Sequence, residues 1–219
     1  TVSLCVRRAV YWDAELGRED PAKKGVCSNW LCDAAPGTPV KLTGPTGKIL
    51  LLPDDPAADV IMVATGTGIA PFRGFLRRLF FEPTTTRAKE FSGLAWLFLG
   101  VPVTESLIYA DDWDAVEAAH GAAGGRTGAD ERFRKTYAIS REQQNAAGEK
   151  MYIQHRLEEH ADEIFARLEN GAHMYFCGLK GMMPGVAETL ASVAARKGID
   201  WDEFPAGLKK NKQWHVEVY

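Results

Sequence analysis

The sequence lacks both an apolar run long enough to span a bilayer and a strong excess of charge of either sign. Its 219 residues are 46% hydrophobic and 25% charged, and 26 basic side chains against 29 acidic ones give a net charge of −3 at pH 7. A membrane-spanning helix needs about 20 apolar residues, disordered chains combine few apolar residues with high net charge, and nucleic-acid-binding domains are typically basic. The composition therefore favours a globular protein and gives no support for nucleic acid as a partner.

Cysteine is also scarce. The chain has four cysteines, which are Cys5, Cys27, Cys32 and Cys177. Disulfide-stapled domains carry a much higher density of cysteine, and the five-residue step from Cys27 to Cys32 differs from the usual zinc-ligand spacing. We interpret all four as thiols in a reducing compartment and expect no metal site.

The first quarter of the chain predicts part of a β domain. The chain starts at Thr1 with a strand-like run, so we expect a processed or truncated piece of a longer protein. Its predicted elements are a strand over 1–12, a loop over 13–24, a short helix N-capped by Ser28 and ended by Pro36-Gly37, and strands over 40–45 and 49–52. Residues 1–55 are then the end of an antiparallel β domain, too short to stand alone.

After a linker at 53–56, the pattern changes to apolar runs that alternate with helical periodicity. The predicted strands cover 60–64, 94–99, 136–139, 173–177 and 214–219, and the predicted helices cover 70–81, 111–120, 153–168 and 182–197. Strands that alternate with helices indicate βαβ units and a parallel sheet. Residues 56–219 are therefore predicted to form one doubly wound α/β domain, with a loop over 121–131 to which we assign no function.

A glycine-rich turn follows the first buried strand, where residues 64–71 read Ala-Thr-Gly-Thr-Gly-Ile-Ala-Pro. Gly66 and Gly68 allow a tight turn and a close approach of the backbone to a phosphate. Pro71 suits the first turn of a helix, whose N-terminus attracts anions. The spacing is Gly-x-Gly-x-x-Pro rather than the full dinucleotide motif, so an ordinary turn is the alternative.

Two cations and two hydroxyl groups follow the third predicted strand, namely Ser140, Arg141, Lys150 and Tyr152. Ligands of open α/β sheets bind at the carboxyl ends of strands, and this set suits a phosphate monoester next to a purine ring. No acidic residue follows the second strand to bind a ribose diol, which favours NADP over NAD. The alternative is that the cations form solvated pairs with Glu142 and Glu149.

Three further segments carry candidate groups. Cys177-Gly178-Leu179-Lys180-Gly181-Met182 follows the fourth strand, although a free cysteine is usually a buried hydrophobe. The alternation of the C-terminal strand predicts His215, Glu217 and Tyr219 on one face, for which an exposed edge is the alternative. Backbone amides near Val26, Cys27 and Ser28 suit a pyrophosphate, whereas Tyr11 and Trp12 are also consistent with core packing.

Seven strings in the same order resemble plant-type ferredoxin–NADP reductases. They are Leu4-Cys5-Val6-Arg7-Arg8, Gly25-Val26-Cys27-Ser28-Asn29, the run from Thr65 to Arg73, Ser140-Arg141-Glu142-Gln143, Lys150-Met151-Tyr152-Ile153-Gln154, Cys177 to Met182, and Val216-Glu217-Val218-Tyr219. The resemblance implies a flavin-binding β-barrel followed by an NADP-binding α/β domain. The family's Arg-x-Tyr-Ser string is expected upstream of Thr1, so the chain is expected to lack the N-terminal part of the flavin domain.

The resemblance also implies a role for each matching residue. FAD would be bound by Cys5, Val6, Arg7 and Tyr11, with Val26, Cys27 and Ser28 at its pyrophosphate. NADP would be bound by Thr67, Gly100, Val101, Ser140, Arg141, Lys150, Tyr152, Gln154, Gly178 and Leu179, with Arg7 near its pyrophosphate. Cys177, Glu217 and Tyr219 would be catalytic, with Cys177 and Glu217 beside the reacting ring and Tyr219 stacked on the flavin.

The implied activity is electron transfer from reduced ferredoxin through FAD to NADP⁺, which yields NADPH by hydride transfer. Ferredoxins are acidic, so the resemblance predicts a basic docking face. Candidates are the stretch 73–89, with Arg73, Arg77, Arg78, Arg87 and Lys89, and residues 1–48, which carry seven basic and five acidic side chains. The implied location is the chloroplast stroma or the periphery of the thylakoid membrane, where a membrane complex is a possible partner. Two alternatives stay open: an NADPH-dependent flavoprotein reductase for another electron carrier, and a non-catalytic nucleotide-binding or tethering fragment.

Overall fold

A computed structural model describes residues 2–44, 46–82 and 90–219. The chain divides into two compact units, Thr1–Gly47 and Lys48–Tyr219. The division falls a few residues before the expected linker at 53–56, and the assignment of residues 1–55 and 56–219 to two cofactor domains stays a prediction. Pro45, Arg87 and Lys89, which belong to sequence predictions above, lie outside the described residues.

The first unit contains a β-hairpin. Strand β1 (Val10–Asp13) pairs antiparallel with β2 (Arg18–Lys24), and Gly17 in the intervening turn has a φ of +60° that favours glycine. The prediction of a strand over 1–12 is wrong for residues 2–9, and the prediction of a loop is wrong from Arg18 onward. The strand prediction is right for residues 10–12 of β1. Nearly every residue of β2 is exposed, so its charged sequence shows no apolar alternation that could have indicated a strand.

Helix α1 (Val26–Asp33) follows the hairpin directly. Its N-cap is Gly25, which makes no side-chain capping bond, so the prediction that Ser28 is the N-cap is wrong. Ser28 lies inside the helix, where its hydroxyl oxygen accepts a hydrogen bond from the Ala9 amide at 3.2 Å. Gly25 packs tightly on the same segment, since its own amide donates to the Ala9 carbonyl at 2.9 Å.

The predicted strands over 40–45 and 49–52 do not form among the described residues. Leu50 and Leu52 instead pack against the core of the second unit. The carbonyl of Leu51 accepts a hydrogen bond from the Tyr175 hydroxyl at 2.7 Å. Residues 50–52 are therefore held by contacts with side chains rather than by pairing with another strand.

The second unit is built on a five-stranded parallel sheet in the order β5-β4-β3-β6-β7. Its strands are β3 (Val60–Thr65), β4 (Ala95–Val101), β5 (Phe133–Ile139), β6 (His173–Gly178) and β7 (Trp214–Val218). Its described α-helices are α2 (Ile69–Leu76, continued by a π-helical turn Arg77–Phe81), α3 (Ala110–His120), α4 (Ile153–Glu159), α5 (Ala161–Glu169), α6 (Met182–Arg196) and α7 (Glu203–Lys210). The predicted α/β fold class is confirmed.

Each face of the sheet is covered by helices. Helices α2 and α3 pack on one face, where Phe72 and Trp113 meet Met62 of β3 with no exposed surface. Helices α4 to α7 cover the other face, where Ile164 and Leu190 pack against the sheet. Strands buried on both sides read as continuous apolar runs, which is why the sequence identifies them. Among the described residues, no helix is long and apolar enough to cross a membrane.

Two features of the helical layer differ from the prediction. The helix expected over 153–168 breaks at His160, whose ring packs edge-on against Trp96 with the centroids 5.0 Å apart. Helix α7 had no counterpart in the prediction. It contains Pro205 and Gly207 and buries only Leu208, so its apolar periodicity is weak.

Candidate nucleotide-binding site

The carboxyl ends of β3 and β6 meet through glycines. A Cβ atom on Gly68 would lie 2.1 Å from the Cys177 carbonyl oxygen. Gly178 has a φ of +142°, and a Cβ there would lie 2.3 Å from the Thr65 hydroxyl oxygen. Because only glycine fits these positions, the turn after β3 packs directly on the turn after β6. The glycine-rich segment thus lies where ligands of open α/β sheets bind.

Thr65 fixes the start of the second of these turns, a contact that the sequence did not indicate. Its hydroxyl oxygen accepts a hydrogen bond from the Leu179 amide at 3.1 Å, and its hydroxyl lies 3.4 Å from the Met182 sulfur as a donor. The visible signal was a polar β-branched residue at the end of a buried apolar strand. Thr65 therefore holds Gly178 and Leu179, two of the predicted cofactor residues, against β3.

Cys177 and Glu217 are neighbours across β6 and β7. They are paired in the parallel register, so their side chains project from the same face of the sheet. Burial, and secondarily the charge of Glu217, raises the pKa of the Cys177 thiol to about 11. The thiol therefore keeps its proton at neutral pH, beside a carboxylate that is exposed to solvent.

Tyr219 joins the same cluster. Its amide donates to the Gly178 carbonyl at 3.0 Å, and its own backbone oxygen accepts from the Lys180 amide at 2.8 Å. Its phenolic hydroxyl is hydrogen-bonded to the hydroxyl of Thr67, while the ring stays largely exposed. The structure thus brings together Thr67, Cys177, Glu217 and Tyr219, whose chemical roles stay a prediction.

A second group of predicted residues lies on one loop at the carboxyl end of β5. The segment 140–152 folds back on itself, so that Gln144 bridges Lys150 and the Met151 amide donates to the Gln143 carbonyl at 3.0 Å. The amide of Ser140 donates to the Val101 carbonyl at 3.0 Å, which extends the sheet by one residue. The fold-back places Ser140 and Arg141 on the outgoing limb and Lys150 and Tyr152 on the returning limb.

The two cations of this loop are not neutralised by its glutamates. Glu142 accepts hydrogen bonds from the Thr104 amide and hydroxyl at 2.8 and 2.5 Å, and these bonds lower the pKa of its carboxyl group. Among the described residues, neither Arg141 nor Lys150 has an ion-pair partner, so the alternative of solvated pairs with Glu142 and Glu149 is not observed. An exposed pair of uncompensated cations is what a phosphate monoester requires.

The remaining second-unit residues line the same end of the sheet. A Cβ on Gly100 would lie 3.2 Å from the Thr65 methyl carbon, so the end of β4 is packed tightly against β3. Val101 is buried beside it, whereas the Tyr152 ring is half exposed and lies 6.0 Å from the His155 ring. The Gln154 amide reaches helix α6, within 3.0 Å of where a Cβ on Gly185 would be.

The first unit carries the candidate FAD residues. Cys5 and Val6 are partly buried and Arg7 is exposed, while the Lys23 ammonium lies 4.7 Å above the exposed Tyr11 ring. Trp12 is also exposed, so within this unit Tyr11 and Trp12 do not form an apolar core.

Val26, Cys27 and Ser28 form the first turn of α1. Gly25 has no side chain and therefore makes no capping bond to the N-terminal amides of this helix. Such amides suit an anion.

The predicted basic stretch is partly compensated. Arg73 pairs with Asp112 at 2.7 Å, and its guanidinium stacks over the Tyr109 ring at 4.3 Å. Arg78 pairs with Glu82 at 3.1 Å. A net basic docking face at 73–89 therefore stays a prediction, and Arg73 and Arg78 add less positive charge to it than the sequence indicated.

Comparison with known proteins identifies the relatives of this chain. Residues 62–188 match the family model described as an oxidoreductase NAD-binding domain. The chain is 57% identical over its whole length to the root-type chloroplastic ferredoxin–NADP reductase of Nicotiana tabacum, covering 56% of that protein. It is 57% identical to the chloroplastic ferredoxin–NADP reductase of Chlamydomonas reinhardtii, covering 59% of it. The chain thus spans somewhat more than half the length of the curated relatives it matches.

Proposed function

Because the chain belongs to the oxidoreductase NAD-binding domain family and is related from end to end to ferredoxin–NADP reductases, we propose that it is part of such an enzyme. In this proposal residues 56–219 form the NADP-binding domain and residues 1–55 the end of a flavin-binding β-barrel. The reaction is the transfer of electrons from reduced ferredoxin through FAD to NADP⁺, with formation of NADPH.

The observation that carries this proposal is the cluster of Thr67, Cys177, Glu217 and Tyr219 at the carboxyl ends of the central strands. The flavin, when bound, supplies the redox chemistry. The protonated Cys177 thiol is a weak hydrogen-bond donor, and the exposed Glu217 carboxylate is an acceptor for the nicotinamide carboxamide. The Tyr219 ring is exposed beside them, so its displacement would open the same surface to the nicotinamide.

The loop 140–152 is proposed to recognise the 2′-phosphate and the adenine of NADP. Arg141 and Lys150 supply charge, Ser140 supplies a hydroxyl group, and the exposed Tyr152 ring can stack on the purine. Gly100, Val101, Gln154, Gly178 and Leu179 complete this side of the proposed site.

FAD is proposed to bind through the first unit. Cys5, Val6, Arg7 and Tyr11 would lie along the flavin dinucleotide. The open N-terminal turn of α1, at Val26, Cys27 and Ser28, would bind its pyrophosphate. This part of the proposal is supported by the exposure of Tyr11 and Val26, which leaves both side chains accessible to a ligand.

Replacement of Arg141 tests the proposed cofactor specificity. The full chain with Arg141→Gln should lose one or two charge-assisted hydrogen bonds to the 2′-phosphate, each worth roughly 1.5–3 kcal/mol. We expect the ratio of NADP⁺ to NAD⁺ affinity, measured by isothermal titration calorimetry, to fall by about tenfold or more. Arg196→Gln, which removes an exposed cation paired with Glu158, is the matched control and should leave the ratio unchanged. An unchanged ratio in Arg141→Gln would exclude Arg141 from this role.

The partner and location are proposed from the same relatives, whose names place them in the chloroplast. We propose ferredoxin as the electron donor, and the stroma or the thylakoid periphery as the location. If docking is electrostatic, the affinity for ferredoxin should fall with added salt. Tightly bound yellow flavin in the purified protein would favour an enzyme over a tethering fragment. Preferential reaction with flavodoxin or a cytochrome instead of ferredoxin would contradict the proposed partner.

A further inference from the structure

The outer edge of β5 is closed by side chains rather than by another strand. β5 is the last strand of the sheet on its side, so alternate backbone groups point away from β4. Near its carboxyl end, the Tyr137 carbonyl accepts a hydrogen bond from Arg156 Nε at 2.9 Å. Two residues on, the Ile139 amide donates to Gln143 Oε1 at 3.0 Å. Arg156 and Gln143 thus supply the bonds that a further strand would make.

These two side chains also bond to each other. Arg156 Nη2 donates to the same Gln143 Oε1 at 3.2 Å, and Nη1 donates to Glu159 at 2.7 Å. All three nitrogens of the guanidinium are therefore engaged within the protein, and its side chain is mostly buried. Arg156 is in this respect unlike Arg141, which is exposed and has no ion-pair partner among the described residues.

Gln143 connects this edge to both limbs of the loop 140–152. Its backbone amide donates to the Ile139 carbonyl at 2.8 Å, which closes the turn that carries Ser140 and Arg141. Its backbone carbonyl accepts a hydrogen bond from the Met151 amide at 3.0 Å, which fixes the limb that carries Lys150. One residue is therefore bonded to both limbs that carry the two uncompensated cations.

We propose that the pair Gln143–Arg156 is a positioning element that determines the preference for a 2′-phosphorylated nucleotide, an inference that rests on the proposed NADP site. Neither residue touches the ligand. Arg156 holds Gln143 on the edge of β5, and Gln143 joins the limb that carries Arg141 to the limb that carries Lys150. A small displacement of either limb would separate the cations and weaken their joint contact with the phosphate.

Three variants of the full chain test this proposal. In Gln143→Met the acceptor is lost, and we expect NADP⁺ affinity to fall by about tenfold while NAD⁺ affinity changes less than about twofold. Gln143→Glu keeps an acceptor oxygen for Ile139 and Arg156, and should restore most of the preference. Arg156→Lys should lower NADP⁺ affinity by an intermediate amount, because one ammonium group cannot replace the guanidinium fork.

The readouts separate positioning from a purely structural role. Calorimetric affinities for NADP⁺ and NAD⁺ are measured together with the melting temperature and the hydrogen exchange of the Ile139 amide, which should accelerate in Gln143→Met. A purely structural role would lower the melting temperature and leave the NADP⁺/NAD⁺ ratio unchanged, which would overturn the proposal. So would an unchanged Ile139 exchange rate. If the wild-type chain itself shows no preference for NADP⁺, the proposed function fails, and this inference fails with it.

Discussion

The two units of the chain are stabilised in different ways. In the second unit, both faces of the sheet are covered, and strand residues such as Ile61, Trp96 and Phe176 have no exposed surface. In the described part of the first unit the buried residue is a polar one, Asn29. Its amide nitrogen donates to the carbonyls of Ala9 and Gly25 at 2.8 and 2.7 Å, and its oxygen accepts from Arg8 at 3.0 Å.

The second unit is therefore stabilised mainly by apolar burial, and the first unit mainly by hydrogen bonds. Burial of a large apolar side chain contributes about 1.5–3 kcal/mol, whereas a typical hydrogen bond contributes about 1 kcal/mol net. The second unit therefore holds its site on a rigid sheet. The first unit leaves Tyr11, Trp12, Val26 and Trp30 exposed, and two of these are candidate FAD residues. Substitutions with the same chemistry should consequently have different effects in the two units.

The largest contrast is expected from two tryptophans. Trp96→Ala removes a side chain with no exposed surface, and should lower the free energy of unfolding of the second unit by about 3–5 kcal/mol. Trp12→Ala removes one that is 64% exposed, and should change stability by no more than about 0.5 kcal/mol. Urea unfolding followed by circular dichroism measures both. Equal losses of unfolding free energy in the two variants would show that Trp12 is buried in solution, and would contradict the contrast between the two units.

A smaller and local effect is expected at Asn29. Asn29→Leu keeps the size of the side chain but removes three hydrogen bonds, one to each of two carbonyls that keep a backbone donor and one from Arg8, which costs about 1–3 kcal/mol. Hydrogen exchange should accelerate in β1, β2 and α1 and stay unchanged in the sheet of the second unit. Asn170→Leu is the matched control, because Asn170 is exposed and makes one bond, to the Ala166 carbonyl. A loss of protection across the whole chain would contradict this prediction.

The same difference explains what the sequence could predict. The strands and most helices of the second unit follow from apolar runs and periodicity, because burial imposes those patterns. Strand β2 of the hairpin carries charged residues and is almost fully exposed, so it had no such signal. The glycine-rich turn was recognisable because close packing at Gly68 and Gly178 admits no side chain.

Other contacts of the site had no local signal in the sequence. The bonds from Gln143 and Arg156 to the edge of β5 join residues 4 to 19 positions apart. Their partners are backbone groups, which carry no sequence signature. The tertiary fold decides whether these side chains reach the backbone groups of β5.

The smallest expected effect is a pH dependence confined to one unit, since all five histidines lie after residue 47. Burial lowers the pKa of His120, His160, His173 and His215, and for His173 the charge of His215 lowers it further. Such histidines bind protons first in the unfolded chain, so acidification favours unfolding. The neutral histidines should therefore contribute fully to the stability of the second unit above about pH 6.5, the ordinary histidine value, and part of that contribution is lost below that pH.

The first unit should not respond in this range. Its nearest titrating group with a shifted pKa is Asp33, whose pKa is lowered by the hydrogen bond from Arg8. That contribution is lost only as the pH falls below about 4. Urea midpoints and exchange rates, corrected for intrinsic exchange, should therefore change with pH in the second unit alone. His215→Gln should reduce the slope, because the unfolded chain then has one fewer site to protonate. A second unit that gained stability on acidification would show that its histidines are favoured in the charged form, and that burial does not dominate their environment.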